Sequence, residues 1–488
     1  MKKNLKLFIN NKSLSMLFLG FSSGLPILLV FSTLSVWLIK AGVERNTVTL
    51  FSWAGFAYAF KYLWSPIVDN CQMPFFKKLG HRRGWLIFSQ LSICTFLILI
   101  SFIDPQKNIY LIALAVTMLA ISSATQDIII DAFRIESAPQ FMQGPLSSMY
   151  IAGYRLAMLI SGAGSLWLAA FFGTEIYNQS TWQKVYLIMS TLMLVGILTT
   201  IFSKEPSIKR FKNFKNKNQI RFLMVIIISI ISFIFIYSKL SSPFEDNLIF
   251  NFVFTFFRLI LCFALAFFIV YISTKIQFVS KNKFKNSYLN PILSFLKKYG
   301  KFAFFILLLI SLYRIADIVM GVMANIFYLE KGYNIKDIAT YSKFFGVFAT
   351  IIGGFMGGYF SLKFGTMRSL FFGAFIAAAS NLLFAWLAAH AISVKLLIYV
   401  ITADNISSGF AGAAFVIYLS GLTSIKFTAT QYALFSSIML FIPKLIAGYS
   451  GGWVDVMGYQ NFFILTAAMG IPVLFLILWI AKVAPVRN

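Results

Sequence analysis

From Leu14 to Ile480 the chain is a succession of apolar runs, each about 20 residues long, separated by short polar connections. In lipid every backbone N–H and C=O has to be satisfied within its own segment. A run of this length therefore crosses a hydrocarbon core of roughly 30 Å as a single helix. Of the 488 residues only 12% are charged, and mean hydropathy is +0.82; that leaves too little polar surface for a soluble protein of this size. The expected fold class is an all-α polytopic membrane protein. The net charge of +27 is then no sign of nucleic acid, because Lys and Arg collect in the connections on one side of a membrane protein.

Fourteen spans are expected, at 14–38, 47–67, 84–103, 109–133, 146–172, 183–202, 222–238, 249–274, 302–328, 337–361, 367–389, 395–420, 427–449 and 461–481. With the N-terminus inside, alternate connections hold 28 Lys and Arg on the inner side and 8 on the outer. That imbalance fixes the expected orientation, both termini cytoplasmic, and an even number of spans. Lys2, Lys3, Lys6 and Lys12 precede a first run too long for a cleaved signal and lacking an A-x-A site, so the first helix is expected to stay in the membrane. Three cysteines and two histidines share no metal-ligand spacing. The expectation is no metal site, no cofactor and no disulfide framework.

Charges inside the spans are the candidates for function, since a charge in the bilayer is costly unless it faces a cavity or a partner. The acids are Asp127, Asp131, Asp317 and Asp404; the bases are Lys61, Arg155, Arg258, Arg314, Lys343 and Lys444. Asp127 and Asp131 are four apart and share one helical face. Counting the rise per residue places Arg155, Arg314, Asp317 and Asp404 near the midplane, and Arg314 and Asp317, three apart, are spaced to pair. Two polar stretches, Gly20-Phe-Ser-Ser-Gly-Leu-Pro26 and Ala403-Asp-Asn-Ile-Ser-Ser-Gly409, read as broken or closely packed helix. Trp37, Trp53, Tyr58, Trp64, Tyr150 and Tyr154 are of a kind to stack on sugar rings, although belt and packing roles are commoner for such residues.

Six spans precede the basic loop 203–221 and six follow the basic loop 275–301. This resembles the major facilitator superfamily, whose halves are repeats. The expected domains are an N-terminal half (1–205), basic linkers with two inserted helices (206–300), and a C-terminal half (301–488). Asp69 with Arg82 and Arg83 between spans 2 and 3, and Gly354, Gly358, Lys363 and Arg368 from the end of span 10 to the start of span 11, resemble the superfamily's cytoplasmic motif. There an acid and a basic pair latch helix ends in one conformation. The first copy has Asn70 after the aspartate, where an arginine is usual, and the second lacks the acid. The superfamily's first, fourth, seventh and tenth helices line the central cavity; here these carry Asp127, Asp131, Arg314, Asp317 and Asp404.

Phe21-Ser-Ser-Gly-Leu-Pro26, Leu63-Trp-Ser-Pro-Ile-Val-Asp69, Arg82-Arg-Gly-Trp85, Ala124-Thr-Gln-Asp-Ile-Ile-Ile-Asp-Ala-Phe-Arg134 and Phe427-Thr-Ala-Thr-Gln-Tyr-Ala-Leu-Phe-Ser436 together resemble the AmpG-type muropeptide permeases of bacterial inner membranes. The resemblance covers about residues 14–480 and includes the inserted pair. It implies proton-driven import of N-acetylglucosaminyl-1,6-anhydro-N-acetylmuramyl peptides. A monomer is expected, with no enzyme activity and no nucleic-acid partner. Gln126, Arg155, Arg314, Asn405 and Tyr154 are the candidate contacts to that anionic glycopeptide. Asp127 is the leading proton carrier, with Arg155 its expected counter-cation. Asp69, Arg82, Arg83, Gly358 and Lys363 are the candidate latch. The residues alone reach only as far as a cation-coupled transporter of a polar solute. Another anionic metabolite, nucleotide-linked or acyl-CoA, stays open as cargo. An enzyme on lipid-linked sugars finds no metal-holding loop to support it, and a channel finds no filter motif.

Overall fold

The computed structural model describes residues 6–44, 47–48, 51–173, 177–207, 216–240, 243, 248–279, 282, 285–334 and 337–484. Lys2, Lys3, Arg45, Lys281, Lys283, Lys336, Arg487 and the stretch 208–215, all counted for topology, lie outside these residues, as do the side chains of Trp53, Lys217 and Lys343.

Every element is helical. We number them α1 (Asn11–Lys40), α2 (51–70), α3 (His81–Phe102), α4 (Ile109–Ser137), α5 (Gln140–Phe172), α6 (Gln179–Phe202), α7 (Asn216–Lys239), α8 (Leu248–Lys275), α9 (Lys285–Lys331), α10 (Thr340–Phe364), α11 (Thr366–Ala389), α12 (Val394–Leu422), α13 (Ile425–Ala447) and α14 (Ser450–Val483). Among the described residues twelve helices are long and apolar enough to cross a membrane, all of these except α2 and α7. The expected second span, 47–67, is therefore not one helix. It is four short turns, Phe51–Gly55, Phe56–Ala59, Lys61–Leu63 and Ser65–Asn70. Phe60 (φ −103°, ψ 11°) and Trp64 (φ −107°, ψ −4°) fall outside regular helix between the turns, and Pro66 opens the last one without an N–H to give. Hydropathy registers none of this.

The two polar stretches are not breaks. α1 runs through Gly20–Pro26 and kinks only at Phe31, while α12 is continuous through Ala403–Gly409. Their glycines serve close approach. A Cβ on Gly20 or Gly24 would strike the backbone carbonyls of Tyr150 and Tyr154 on α5, and Gly409 abuts Thr350 of α10 in the same way. One buried cluster spans α1 to α6, around Leu29, Trp37, Leu97, Leu119 and Tyr186. Another spans α9 to α14, around Ile310, Val319, Phe384, Phe415 and Phe463. Within α14 the backbone leaves helical geometry at Gly458 (φ +74°), which kinks the helix there.

α7 and α8 pack on each other. Val225 of α7 joins Ile67 and Cys71 in a small cluster, and the Phe233 ring lies 5.2 Å from that of Phe60, so α7 braces the broken α2. Arg258 of α8 donates to the Leu240 carbonyl at 2.6 Å and lies over the Tyr237 ring. The lead of α9, Asn290–Tyr299, is amphipathic. Just before it, the Tyr288 hydroxyl donates to the Leu63 carbonyl of the first half, and its own Pro291 carbonyl accepts from the Gln431 amide of the second at 2.7 Å.

Candidate functional site

α4 packs on α3 and α1, and the close approach of α1 to α5 at Gly20 and Gly24 brings Tyr150 and Tyr154 toward its polar residues. Gln126 is fully buried and exchanges hydrogen bonds with Ser22: its amide donates to the Ser22 carbonyl (2.9 Å), and its carbonyl accepts from the Ser22 hydroxyl (3.0 Å). One residue on, the half-buried Asp127 accepts from the Ser23 hydroxyl at 2.5 Å, and that hydroxyl also lies 3.0 Å from Tyr150 Oη. Trp64 on α2 donates to Thr125 at 3.1 Å. Gln126, expected to contact solute, is occupied in joining α4 to α1.

Asp131 lies one turn further along. It is buried between two cations, Arg134 at 3.3 Å and Lys61 of α2 at 3.9 Å. Arg134 is fully buried and donates to Gln143 (3.3 Å), Ser147 (3.0 Å) and Ser420 (2.9 Å), with the Tyr432 ring 5.3 Å away. Ser420 and Tyr432 belong to α12 and α13, so Arg134 bridges the two halves. Lys61 is among the expected intramembrane bases and Arg134 closes the Gln126–Arg134 motif, but nothing in their spacing shows that Lys61 reaches Asp131 or that Arg134 crosses to Ser420.

Arg155 is not the counter-cation of Asp127. Asp127 lies in the field of Lys61 instead, and the nearest polar contact of Arg155 is Met158 Sδ at 4.0 Å. The correction follows from α5, whose Tyr150 and Tyr154 stand toward Asp127 while Arg155, one residue later, points elsewhere. Arg155 lies in the field of Arg314 from the second half. Arg314 pairs with Asp317, as their spacing suggested, and donates to Ser408 at 3.3 Å, while its Nε is buried and unmatched among the described residues. Asp404 accepts from Ser380 at 3.2 Å and lies near Arg314. Arg155, with no carboxylate on it among the described residues, and Arg314 thus place two cations within each other's field, one from each half. Asn405, expected beside them as a solute contact, is tied down instead, accepting from Thr350 (3.0 Å) and donating to the Ile401 carbonyl (2.8 Å).

The basic end of the bundle carries the other constellation. Arg82 is buried and donates to Asp69 (2.7 Å) and Glu136 (2.6 Å). Asp69 in turn accepts from the backbone N–H groups of Ala429 (3.2 Å) and Thr430 (2.8 Å) and from the Thr430 hydroxyl (2.7 Å), capping the start of α13 across the seam. Glu205 caps α3, accepting from the N–H groups of Arg82 and Arg83. Arg83 itself turns to the Thr200 and Ile201 carbonyls at the end of α6. Of the expected set, then, Asp69 and Arg82 come together. Arg83 does not join them, and the exposed Lys363 lies over Phe364. Gly358 on α10 abuts Gly144 and Ser148 of α5, where the halves approach most closely. Glu136 and Glu205 were missed; nothing in their spacing marks them. Among the described residues no group of three or more His, Cys, Asp or Glu is placed to hold a metal.

Residues 13–419 match the model of the Major Facilitator Superfamily. AmpG 4 of Rickettsia felis is 30% identical over 477 residues, 98% of each chain. The anhydromuropeptide permease of Escherichia coli is 27% identical over 481 residues, 97% of this chain and 80% of its own. Among solved structures, the proton:xylose symporter XylE (12% identity, TM-score 0.60, 99% of this chain and 96% of that one) and FucP in its outward conformation (12%, TM-score 0.61, 97% and 99%) share the fold. A multi-pass membrane transporter of a small molecule, not an enzyme, the chain belongs to the Major Facilitator Superfamily and within it to the AmpG-type transporters.

Proposed function

We propose that the protein imports anhydro-muropeptides, N-acetylglucosaminyl-1,6-anhydro-N-acetylmuramyl peptides, across the bacterial inner membrane by proton-driven alternating access. The observation that carries this reading is that Arg314 of the second half lies in the field of Arg155 of the first, which has no carboxylate partner among the described residues. Two such guanidiniums repel unless an anion joins them, and a peptide carboxylate is an anion that both halves can grip. Likeness over nearly the whole chain to the anhydromuropeptide permease supports the choice of solute. In this reading the basic end, with Asp69, Arg82 and Gly358, is the cytoplasmic gate, both termini lie inside, and the monomer suffices. The domains are a half at 1–205, a linker region at 206–300 and a half at 301–488, with α7 and α8 as a thirteenth and fourteenth span flanking a twelve-helix core.

Proton drive rests on the intramembrane acids Asp127, Asp131, Asp317 and Asp404. Asp127 is preferred, because it shares one face of α4 with Asp131 and lies in the field of Lys61, beside Tyr150 and Tyr154, so its charge is coupled to a cation that Asp131 also holds. Asp317 is engaged by Arg314 and Asp404 by Ser380. The test is uptake of labelled anhydro-disaccharide tetrapeptide into proteoliposomes with an imposed pH gradient. Accumulation that collapses with a protonophore is expected. Labelled acyl-CoA or nucleotide-sugar accumulating while the muropeptide does not would overturn the choice of solute.

A further inference from the structure

Between Asp127 and the seam lie Lys61, Asp131 and Arg134, with Asp127 in the field of Lys61. Lys61 is 8% exposed and sits on the short Lys61–Leu63 turn of the broken α2, a three-residue turn with little to hold its register. Its Nζ is 3.9 Å from Asp131 Oδ2, longer than a charged hydrogen bond of about 2.8 Å, and Asp127 lies one turn away on the same face of α4. Asp131 divides its two oxygens between Lys61 and Arg134, and Arg134 holds Ser420 across the seam. The charged and titratable groups facing this set are Tyr58 and Lys61 from α2, Asp127, Asp131 and Arg134 on α4, Tyr150 and Tyr154 from α5, and Tyr432 from α13.

We propose that Lys61 is a positioning residue that transmits the charge state of Asp127 to the seam, through Asp131 and Arg134. While Asp127 is ionised, Lys61 is shared between the two aspartates, and Asp131 keeps Arg134 turned into its site against Ser420 and Tyr432. When Asp127 takes a proton, Lys61 turns wholly to Asp131. Arg134, now facing a neutralised carboxylate, loses its charge-assisted anchor, and the seam at the basic end opens. The proton leaves Asp127 from the opened side, Lys61 returns to its shared position, and the seam closes. This rests on the proton-driven import proposed above, but it can be tested with neither solute nor gradient, so the two can fail separately.

Spin labels at Phe141→Cys and Ile425→Cys, both exposed at the basic end and one on each half, report seam opening as a second, longer distance in nanodiscs. Cys71 does not compete for label near neutral pH, since burial pushes its thiol up to about 12; Cys94 and Cys262 are replaced by Ala. Asp127→Asn should raise the open population about tenfold, the scale of one charge-assisted hydrogen bond. Lys61→Gln should leave it closed, and the double variant should match Lys61→Gln rather than Asp127→Asn. In the native-aspartate protein, acidification should open the seam, and Lys61→Gln should abolish that response, with Lys61→Arg restoring it in part. An Asp127→Asn effect of the same size with and without Lys61, or an acid response that persists in Lys61→Gln, overturns the proposal. Should Asp127→Asn fail to fold, the acid titration of Lys61→Gln against wild type decides alone.

Discussion

At the scale of residues, the membrane interior makes a few charges do the chemistry, and each can be tested singly. Asp127 makes one hydrogen bond, to Ser23, and Asn is nearly its isostere, so Asp127→Asn should fold. With the carboxylate gone, gradient-driven accumulation should fall to background, while exchange of internal for external solute continues in the same vesicles. Accumulation at the wild-type level would move the proton site to Asp404 or Asp317. Arg155→Lys keeps the charge but loses the fork that grips a carboxylate with two parallel bonds, so solute affinity should fall about tenfold, read as KM for uptake. Much of this scale was legible in advance: an aspartate in an apolar run declares itself by cost, and Arg314 with Asp317 paired as their spacing said. Partnership across helices was not. Depth along the axis made Arg155 seem the neighbour of Asp127, but depth carries no azimuth, and Lys61 holds that place.

At the scale of elements, hydropathy located nearly every helix and misread the one that carries Lys61. α2 has the composition of a span, yet Phe60, Trp64 and Pro66 divide it, and that division lets Lys61 sit on a short turn beside α4. The stretches Gly20–Pro26 and Ala403–Gly409 left broken and closely packed helix both open, because glycine and proline loosen an isolated helix and small residues admit a neighbour; packed against α5 and α10, they allow contact. The inserted pair rests on α2 through Val225 and Phe233. Replacing about residues 221–275 with a short polar linker returns those faces to lipid, which is as apolar as Phe233, so only packing is lost. Yield and melting temperature should drop, while the order of preference among competing solutes in uptake stays the same; a folded deletion with an altered order would place the pair at the solute site. A smaller element effect tests the cap on α3. Glu205→Ala leaves two N–H groups uncapped and should cost about 1 kcal/mol in thermal unfolding, without changing solute affinity.

At the scale of the molecule, the hydrogen bonds that the described residues make between the two six-helix sets all lie toward the basic end. Asp69 caps α13, Arg134 reaches Ser420, Tyr288 meets the Leu63 carbonyl, and Ser148 donates to the Gly354 carbonyl at 2.8 Å. A bundle tied at one end only is poised as one of two states of a rocking carrier, closed at that end. The tightest approach is where Gly358 meets Gly144 and Ser148, with backbone nearly touching backbone. Neither glycine has positive φ, so a side chain is allowed there by the helix and forbidden only by the opposite half. That separates closure from folding. In Gly358→Val each half keeps its own core, because the added methyls point into the seam, where Gly144 and Ser148 must give way before the ends can meet. The variant should purify with a melting temperature close to wild type. Its labels at 141 and 425 should show the longer distance as the main population at neutral pH, and net transport should fall at least about tenfold, because the closed state is rarely reached. A reporter fused after Lys301 should at the same time be active only on the cytoplasmic side, fixing which face this seam closes. If Gly358→Val keeps the short distance and full transport, the seam is not the gate, and the contacts from Asp69 and Arg134 are packing that the carrier never breaks.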